Sequence, residues 1–260
     1  MQLEGRVAFI TGAGSGIDRA SAVLLAKEGA KIGAFSRTEE ELQDLVREIE
    51  SNGGEAVALV GDVSNPQDVE QAVRQLADKW DRVDIVFANA GINGVWAPLE
   101  ELEPDEWDRT LDINLKGTFL TVKYAIPHLK KRGGSVIVTS SVNGTRNFSN
   151  TGATAYSCSK AAQVAFTQMV ALELAKYHIR VNVICPGAIE TEISENTQSR
   201  NTEKEREPVE YPEGEIPLTD GKPAKAEQVA DLVLFLASDA SNHISGTPVW
   251  IDGAQSLLQG

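Results

Sequence analysis

Cysteine, net positive charge and long apolar runs are all scarce in this sequence of 260 residues. The two cysteines, Cys158 and Cys185, lack a CxxC spacing, and we expect buried free thiols in a reducing compartment. A formal net charge of -14 argues against a nucleic-acid partner, because Lys and Arg patches supply affinity for phosphates. No window approaches the ~18 apolar residues of a membrane span, and no signal-peptide pattern is visible. We therefore expect a cytoplasmic protein that binds neither nucleic acid nor membrane.

Histidine is also rare. His128, His178 and His243 are far apart in the sequence and show no metal-ligand spacing. We therefore expect no catalytic metal.

Short β-rich runs alternate with longer amphipathic segments along the whole chain. Most of these runs are continuously apolar, as expected for strands covered on both faces. The candidate strands are 6–11, 31–35, 56–61, 83–89, 135–140, 180–185 and 248–252. The helical patterns include 38–51, 66–80, 105–131, 155–177 and 226–238. The alternation predicts an α/β fold with a doubly wound parallel sheet, and the absence of repeats and linkers predicts a single domain over 1–260.

Residues 190–225 interrupt this alternation. The segment is polar and charged, contains four prolines and includes no convincing strand. Long internal excursions in compact domains are commonly functional. We predict a mobile substrate lid, with a plain surface loop as the alternative.

The stretch TGAGSGID at 11–18 lies between an apolar strand and a helical pattern. Glycine lets the backbone approach a pyrophosphate, and the start of a helix presents N–H groups to it. We assign to this dinucleotide site Gly12, Ser15, Gly16 and Ile17. Asp18 stands where such a loop commonly has a further glycine. Its charge suits the first turn of a free helix but repels a bound phosphate, which predicts weaker cofactor binding rather than its loss.

The end of the second strand carries Ser36 and Arg37 and no acidic residue. A carboxylate at this point would accept hydrogen bonds from an unphosphorylated ribose, whereas an arginine can meet a 2′-phosphate. We therefore predict a preference for NADP, with NAD still possible and a solvated helix-start residue as the alternative for Arg37. Asp62 and Val63 follow the third strand, where Asp62 is placed to hydrogen-bond an adenine amine.

Tyr156 and Lys160 are four residues apart, so both side chains project from one face of a helix. A nearby ammonium group lowers the pKa of a phenol, which would make Tyr156 a general acid or base. On spacing alone, an ordinary surface pair is the alternative.

Four ordered motifs resemble the short-chain dehydrogenase/reductase family over nearly the whole chain. They are TGAGSGI at 11–17, NAG at 89–91, YSCSK at 156–160 and CPGAIET at 185–191. The resemblance implies a Rossmann-like sheet of seven strands and hydride transfer between NAD(P)(H) and a ketone or secondary alcohol. It also implies a homotetramer or homodimer built through the helices near 105–131 and 155–177.

The resemblance also implies roles for single residues. Tyr156 would protonate the substrate oxygen, and Lys160 would bind the nicotinamide ribose and lower the tyrosine pKa. Ser141 would position the substrate carbonyl, and Asn114 would hold a water that extends the proton relay. The resemblance assigns to cofactor binding Tyr156, Lys160, Asn89, Ala90, Gly91, Pro186, Gly187, Ile189 and Thr191.

Ser141 precedes Tyr156 by fifteen residues, about two more than the family pattern. The intervening segment must therefore bulge beside the site, which leaves Ser140 and Ser149 as lesser candidates for the serine role. A partly apolar pocket walled by Trp96, Ile193, Tyr211 and Ile216 is a further interpretation, with simple packing of each side chain as the equal alternative.

The sequence leaves open both the substrate class and whether the protein is an enzyme. A 3-oxoacyl thioester and a sugar or polyol are equally persuasive substrates, although an acidic carrier protein would need a basic docking patch. The cationic cluster at 130–132 is the obvious candidate for that patch, and it is also explained as a helix end. The alternative to an enzyme is a catalytically silent dinucleotide-binding sensor or scaffold.

Overall fold

The computed structural model describes residues 1–191, 193, 196–207 and 216–258. Strands and helices alternate along these residues, as the sequence predicts. The strands are β1 (Val7–Thr11), β2 (Lys31–Ser36), β3 (Glu55–Val60), β4 (Ile85–Ala88), β5 (Gly94–Trp96), β6 (Gly134–Thr139), β7 (Ile179–Pro186), β8 (Thr197–Ser199) and β9 (Pro248–Ile251). The α-helices are α1 (Gly16–Lys27), α2 (Glu39–Ser51), α3 (Pro66–Trp80), α4 (Pro104–Leu111), α5 (Gly117–Leu129), α6 (Thr154–Leu174) and α7 (Ala226–Ala237).

Within the described residues, one sheet contains seven strands in the order β3-β2-β1-β4-β6-β7-β9. Every neighbouring pair is parallel. The chain starts in the middle of the sheet, builds outward to β3, and then crosses over to β4. Such a reversal of strand order opens a crevice at the carboxyl ends of the strands. The predicted doubly wound α/β fold is confirmed.

Hydrophobic side chains fill the space on both faces of the sheet. All five residues of β1 are buried, and successive side chains of a strand point to opposite faces. Phe9 therefore packs in one core cluster with Val86 and Val136, whereas Ile10 packs in the other with Ile85 and Ile137. Burying each large apolar side chain contributes roughly 1.5–3 kcal/mol. This double burial explains why the strand sequences are continuously apolar.

The helical pattern predicted over 105–131 is divided in the structure. Helix α4 ends at Leu111, a π-helical turn spans Asp112–Lys116, and α5 follows directly. A π-turn inserts one extra residue into a helix and commonly occurs at functional sites. Here it contains the fully buried Asn114.

A second, unpredicted sheet joins two distant segments. Residues Gly94–Trp96 of β5 pair in parallel with Thr197–Ser199 of β8. Three residues on each side are too few to show a recognisable pattern in the sequence. The pairing fixes part of the segment 190–225 beside the crevice.

The two cysteines differ in exposure. Cys185 is buried in β7, as predicted, whereas Cys158 is exposed, so the prediction that both are buried is wrong for Cys158. Tyr156 lies on the side of α6 that packs against the protein interior. Cys158 is two residues later, so its side chain points about 200° away around the helix.

The helices of the described residues include none that is both long and apolar enough to span a bilayer.

Candidate active site

A cleft of about 870 Å³ lies at the carboxyl ends of the parallel strands. It begins at the loop after β1 and reaches the residues that follow β6 and β7. All the residues that the sequence assigns to cofactor binding line this cleft, as do Ser141, Tyr156 and Lys160. The remaining predicted catalytic residue, Asn114, is fully buried behind its wall.

The loop between β1 and α1 fits a dinucleotide phosphate. Gly12 and Gly16 have φ values of 83° and 56°, which favour glycine. A Cβ atom at Gly12 would lie 3.1 Å from the Cα of Ala90, so a side chain there would crowd the next strand end. Helix α1 begins at Gly16 and presents its free N–H groups to the cleft.

Asp18 turns inward instead of standing in a solvated first turn. Its side chain is only 5% exposed, and its Oδ2 accepts a hydrogen bond of 2.5 Å from Asn89 Nδ2. Its Oδ1 is buried without a partner among the described residues. Burial raises the pKa of Asp18 well above its usual value, although Asn89 and the charge of Lys160 oppose the shift. The neutral form is therefore favoured, which reduces the repulsion of a bound phosphate that the sequence predicts.

The far end of the cleft carries opposite charges. Asp62 Oδ1 accepts hydrogen bonds from the Ser64 backbone N–H at 2.8 Å and hydroxyl at 2.7 Å. Burial raises the pKa of Asp62, but these hydrogen bonds and the charges of Arg37 and Arg109 together lower it by more, so the net shift of the pKa is downward. The exposed Arg37 lines both this cleft and an adjoining cavity of about 360 Å³.

Tyr156 and Lys160 lie on the buried side of the first half of α6, and are 7% and 3% exposed. The Lys160 ammonium lies 5.5 Å from the centroid of the Tyr156 ring, and Lys160 Nζ donates to the Thr139 carbonyl at 2.9 Å. Burial raises the pKa of Tyr156, with the Ser141 hydroxyl as the opposing influence. The expectation that Lys160 lowers this pKa is therefore wrong: burial shifts it upward, and Lys160 is not among the groups that oppose the shift.

Burial also acts on the ammonium group itself. It lowers the pKa of Lys160 to about 8, although the charges of Cys185 and Asp18 oppose the shift. A lysine with such a pKa exchanges its proton near neutral pH. Lys160 is therefore suited to a proton relay.

Asn114 is held rigidly by its neighbours. Its Oδ1 accepts from the Ile92 backbone N–H at 2.8 Å, and its Nδ2 donates to the Ile92 carbonyl at 2.9 Å and to Ser159 Oγ at 3.0 Å. Its own carbonyl accepts from Thr118 and Gln163. Gly91 lies between this amide and the Lys160 ammonium group. A Cβ atom on Gly91 would lie 3.1 Å from Asn114 Oδ1 and 3.6 Å from Lys160 Nζ.

The three candidate serines have different surroundings. Ser141 is the second residue after β6, lines the cleft and accepts a hydrogen bond of 3.1 Å from the Asn143 N–H. Ser140 is buried and donates to the Lys160 carbonyl at 2.7 Å, so it supports the helix. Ser149 is exposed and donates to Asn147. Ser141 is the one placed to meet a substrate beside Tyr156.

Several cleft residues were not singled out by the sequence, because amides in loops give no periodic signal. The loop between β6 and α6 contributes Asn143, Asn147 and Asn150. Of the predicted apolar wall, Trp96 and Ile193 line the cleft. Ile216 is instead buried beside Gly253, and Tyr211 lies outside the described residues.

Among the described residues, no group of three or more His, Cys, Asp or Glu side chains is placed to hold a metal ion.

Comparison with known proteins agrees with this geometry. A family profile described as short chain dehydrogenase matches residues 6–202. The chain is 39% identical to the 3-oxoacyl-[acyl-carrier-protein] reductase FabG of Thermotoga maritima, over 97% of this chain and 98% of the relative. A crystal structure titled as a 3-ketoacyl-ACP reductase from Sinorhizobium meliloti 1021 is 55% identical with a TM-score of 0.94, and covers 97% of this chain and 100% of its own.

A further solved relative was crystallised with a nicotinamide cofactor. It is a carveol dehydrogenase from Mycobacterium avium in complex with NAD, 28% identical, with a TM-score of 0.87 and 99% of each chain covered. The comparisons give no support to a silent sensor or scaffold. The chain belongs to the short chain dehydrogenase family, as an oxidoreductase that acts on ketone or alcohol groups with a nicotinamide dinucleotide.

Proposed function

We propose that this enzyme interconverts a ketone and a secondary alcohol through a proton transfer at Tyr156, with NADP(H) as the preferred cofactor. The observation that carries the proposal is one continuous cleft with the glycine loop at one side and Ser141, Tyr156 and Lys160 at the other. A hydroxyl, a phenol and an amine at the same wall can hold and protonate a carbonyl oxygen.

Each residue has a distinct task in the reductive direction. Ser141 donates a hydrogen bond to the substrate oxygen and fixes its position. Tyr156 gives its hydroxyl proton to that oxygen, and the relay through Lys160 and Asn114 replaces it. The raised pKa of Tyr156 keeps the phenol protonated at neutral pH, as a proton donor requires. The bound nicotinamide supplies or accepts the hydride.

The remaining assigned residues hold the dinucleotide. The glycine loop with Ser15 and Ile17 meets the phosphates, and Asp62 with Val63 meets the adenine. The nicotinamide end rests on two strand ends, through Asn89, Ala90, Gly91, Pro186, Gly187, Ile189 and Thr191.

The test is to assay a panel of candidate substrates and to monitor turnover by the change in nicotinamide absorbance. We expect turnover of at least one ketone or secondary alcohol with NADP(H). Tight cofactor binding without turnover of any ketone, alcohol, sugar or thioester mimic would contradict the proposal.

Arg37 supports the NADP preference, because it stands exposed at the end of β2, where it can pair with a 2′-phosphate. We predict that Arg37→Ala raises the dissociation constant of NADPH about tenfold, since a charge-assisted hydrogen bond is lost, while that of NADH changes less than about twofold. Fluorescence titration with both cofactors measures this. Arg47→Ala, an exposed arginine on α2, is the matched control. Equal effects of Arg37→Ala on both cofactors would refute the preference.

We also propose a homodimer or homotetramer with α5 and α6 at its interface. Exposed apolar side chains on these helices include Phe119, Met169 and Leu172, which are 43%, 73% and 82% exposed. Exposed apolar groups on adjacent helices are typical of association surfaces. We retain the single domain with a lid at 190–225, and a cytoplasmic location stays a prediction.

A further inference from the structure

The substrate end of the cleft is enclosed by three segments, which we call the substrate wall: residues 92–97, residues 141–152 and residues 196–207. The first segment pairs with the third through β5 and β8. The first and second meet at Gly152, whose carbonyl accepts from the Ala97 N–H at 3.3 Å. A Cβ at Gly152 would lie 2.7 Å from Ala97 N and 2.9 Å from Thr202 Cγ2, so all three segments touch there.

The substrate wall presents amide and hydroxyl groups to the cleft. Asn143, Asn147 and Asn150 come from the second segment, and Ser199 and Thr202 come from the third. Groups of this kind bind hydroxyl groups, because each can both donate and accept a hydrogen bond.

Two of these amides are already oriented. Asn143 Oδ1 accepts from Asn150 Nδ2 at 2.9 Å, and Asn147 Oδ1 accepts from the Ser149 N–H at 3.1 Å and from its hydroxyl at 2.7 Å. Their Nδ2 groups have no partner in the part of the chain that the structure describes. Both donors are thus fixed and unused, as a site for substrate oxygens requires.

The charge around the substrate wall does not favour an anionic partner. Arg206 lines the cleft together with Glu203 and Glu207, and its Nη1 lies 4.0 Å from Glu203 Oε2. The cluster at 130–132 immediately precedes β6, and therefore lies at the amino edge of the sheet, opposite the cleft. A neutral ligand fits this balance better than an acidic carrier protein.

The wall also has an apolar side. Trp96 belongs to the first segment of the wall, and Ile193 lines the cleft beside the third. An indole ring offers a flat apolar surface together with polar surroundings. The C–H face of a sugar or polyol matches such a surface, while its hydroxyls reach the amides.

From this arrangement we infer that the substrate is a neutral, multiply hydroxylated compound of the sugar or polyol class. The inference rests on the proposed function. The reacting carbon lies at Ser141 and Tyr156, and the other hydroxyls bind the amide and hydroxyl groups of residues 143–150 and 199–202. In the oxidative direction the C–H electron pair would pass to the nicotinamide as hydride, the hydroxyl proton would pass to Tyr156 as the tyrosine proton leaves along the relay through Lys160, and a C=O bond would form.

A site built for hydroxyls discriminates strongly against compounds that lack them, because its polar groups are then left unpaired. We therefore compare kcat/KM in the oxidative direction for ribitol, sorbitol, cyclohexanol and 3-hydroxybutyryl-N-acetylcysteamine. We expect the better polyol to exceed both other probes by at least about tenfold.

Two variants test whether the substrate wall causes this preference. Asn147→Leu removes an amide, and Thr202→Val removes a hydroxyl with little change in shape. Each should lower the ratio of polyol to cyclohexanol kcat/KM by about five- to tenfold, the effect of one hydrogen bond. The matched control is Asn242→Leu, an exposed asparagine outside the cleft, which should leave the ratio unchanged.

The outcomes separate the two proposals. A higher kcat/KM for cyclohexanol or for the thioester, or an unchanged ratio in both variants, would overturn the inference and leave the oxidoreductase function standing. Bound cofactor without turnover of any probe or any member of the wider panel would overturn both.

Discussion

Tyr156 is the residue on which the proposed proton transfer depends. We predict that Tyr156→Phe lowers kcat by roughly 10²- to 10⁴-fold, the usual contribution of a general acid. Cofactor affinity should stay within about threefold, since the ring remains. Steady-state kinetics and cofactor titration measure the two quantities. Tyr177→Phe, on a partly exposed tyrosine outside the cleft, is the control, and a Tyr156→Phe enzyme with a tenth of the original kcat would refute the role.

Asp18 makes the stability of the protein depend on pH. Its pKa is raised in the folded state, chiefly by burial, so the folded protein holds this proton more tightly than the unfolded chain. The stabilisation is complete below the ordinary Asp pKa of about 3.9 and is lost as the pH rises through the raised pKa.

We therefore predict that Asp18→Asn becomes more stable relative to the wild type as the pH rises across this window. At neutral pH the gain should be on the order of 1–3 kcal/mol, because the wild-type carboxyl group must take up a proton or bury its charge on folding, whereas the neutral amide does neither. Urea unfolding across the pH range measures it. Asp231→Asn, an exposed carboxylate on α7, serves as control, and a difference that does not vary with pH would contradict the prediction.

The sequence locates Asp18 in the first turn of α1 but does not reveal its burial. That burial depends on Asn89, which follows a strand 71 positions away in the chain. For the same reason the sequence predicts one-face placement of Tyr156 and Lys160 but not that burial dominates the tyrosine pKa. Local spacing fixes which residues share a face, whereas desolvation depends on distant packing.

At the scale of elements, the segment after β7 is fixed to α4. Arg200 donates to both carboxylate oxygens of Glu106 at 2.9 Å, and Asn201 Nδ2 donates to Glu101 Oε2 at 2.8 Å. Glu106 lies in α4, and α4 leads directly into the π-helical turn. The Arg200–Glu106 pair therefore connects the segment after β7 to that turn.

We predict that Arg200→Met raises the substrate KM by roughly two- to fivefold, since partly exposed ion pairs contribute modestly. Cofactor affinity should remain unchanged, because Arg200 lies outside the cleft lining. Glu106→Gln tests the same pair from the other side, and the double variant should show less than the product of the two effects. If the change in KM of the double variant equalled the product of the two single changes, the pair would not act as a unit.

The elements themselves differ in how readily a sequence predicts them. Long buried strands were predicted within two residues at each end and amphipathic helices within three, because their periodicity is repeated many times. The pairing of β5 with β8 was not predicted, since it involves three residues per strand and joins segments about 100 residues apart. The division of the helix 105–131 was also missed, because one inserted residue hardly changes the hydrophobic pattern.

At the scale of the whole molecule, the proposed association places the outer face of α6 at the interface between subunits. Met169 and Leu172 are both largely exposed in the single chain. We predict that Leu172→Glu shifts the protein from a dimer or tetramer toward smaller species, because a buried unpaired charge destabilises an interface. Light scattering coupled to gel filtration measures the mass. Glu173→Gln, at the adjacent exposed position, is the control, and a Leu172→Glu protein of unchanged mass would place the interface elsewhere.

The π-helical turn at Asp112–Lys116 has a consequence for how this protein can change in length. One residue of an α-helix corresponds to about 100° of rotation, so deleting a single residue there would swing α5 by more than a quarter turn. Leu120, now buried, would move to the position of Phe119, which is 43% exposed, while Phe119 would move to the buried position of Thr118. Insertions and deletions tolerated in nearby loops should therefore be rejected at this turn, which fixes the rotation of α5 relative to the buried Asn114 amide and to the proposed subunit interface.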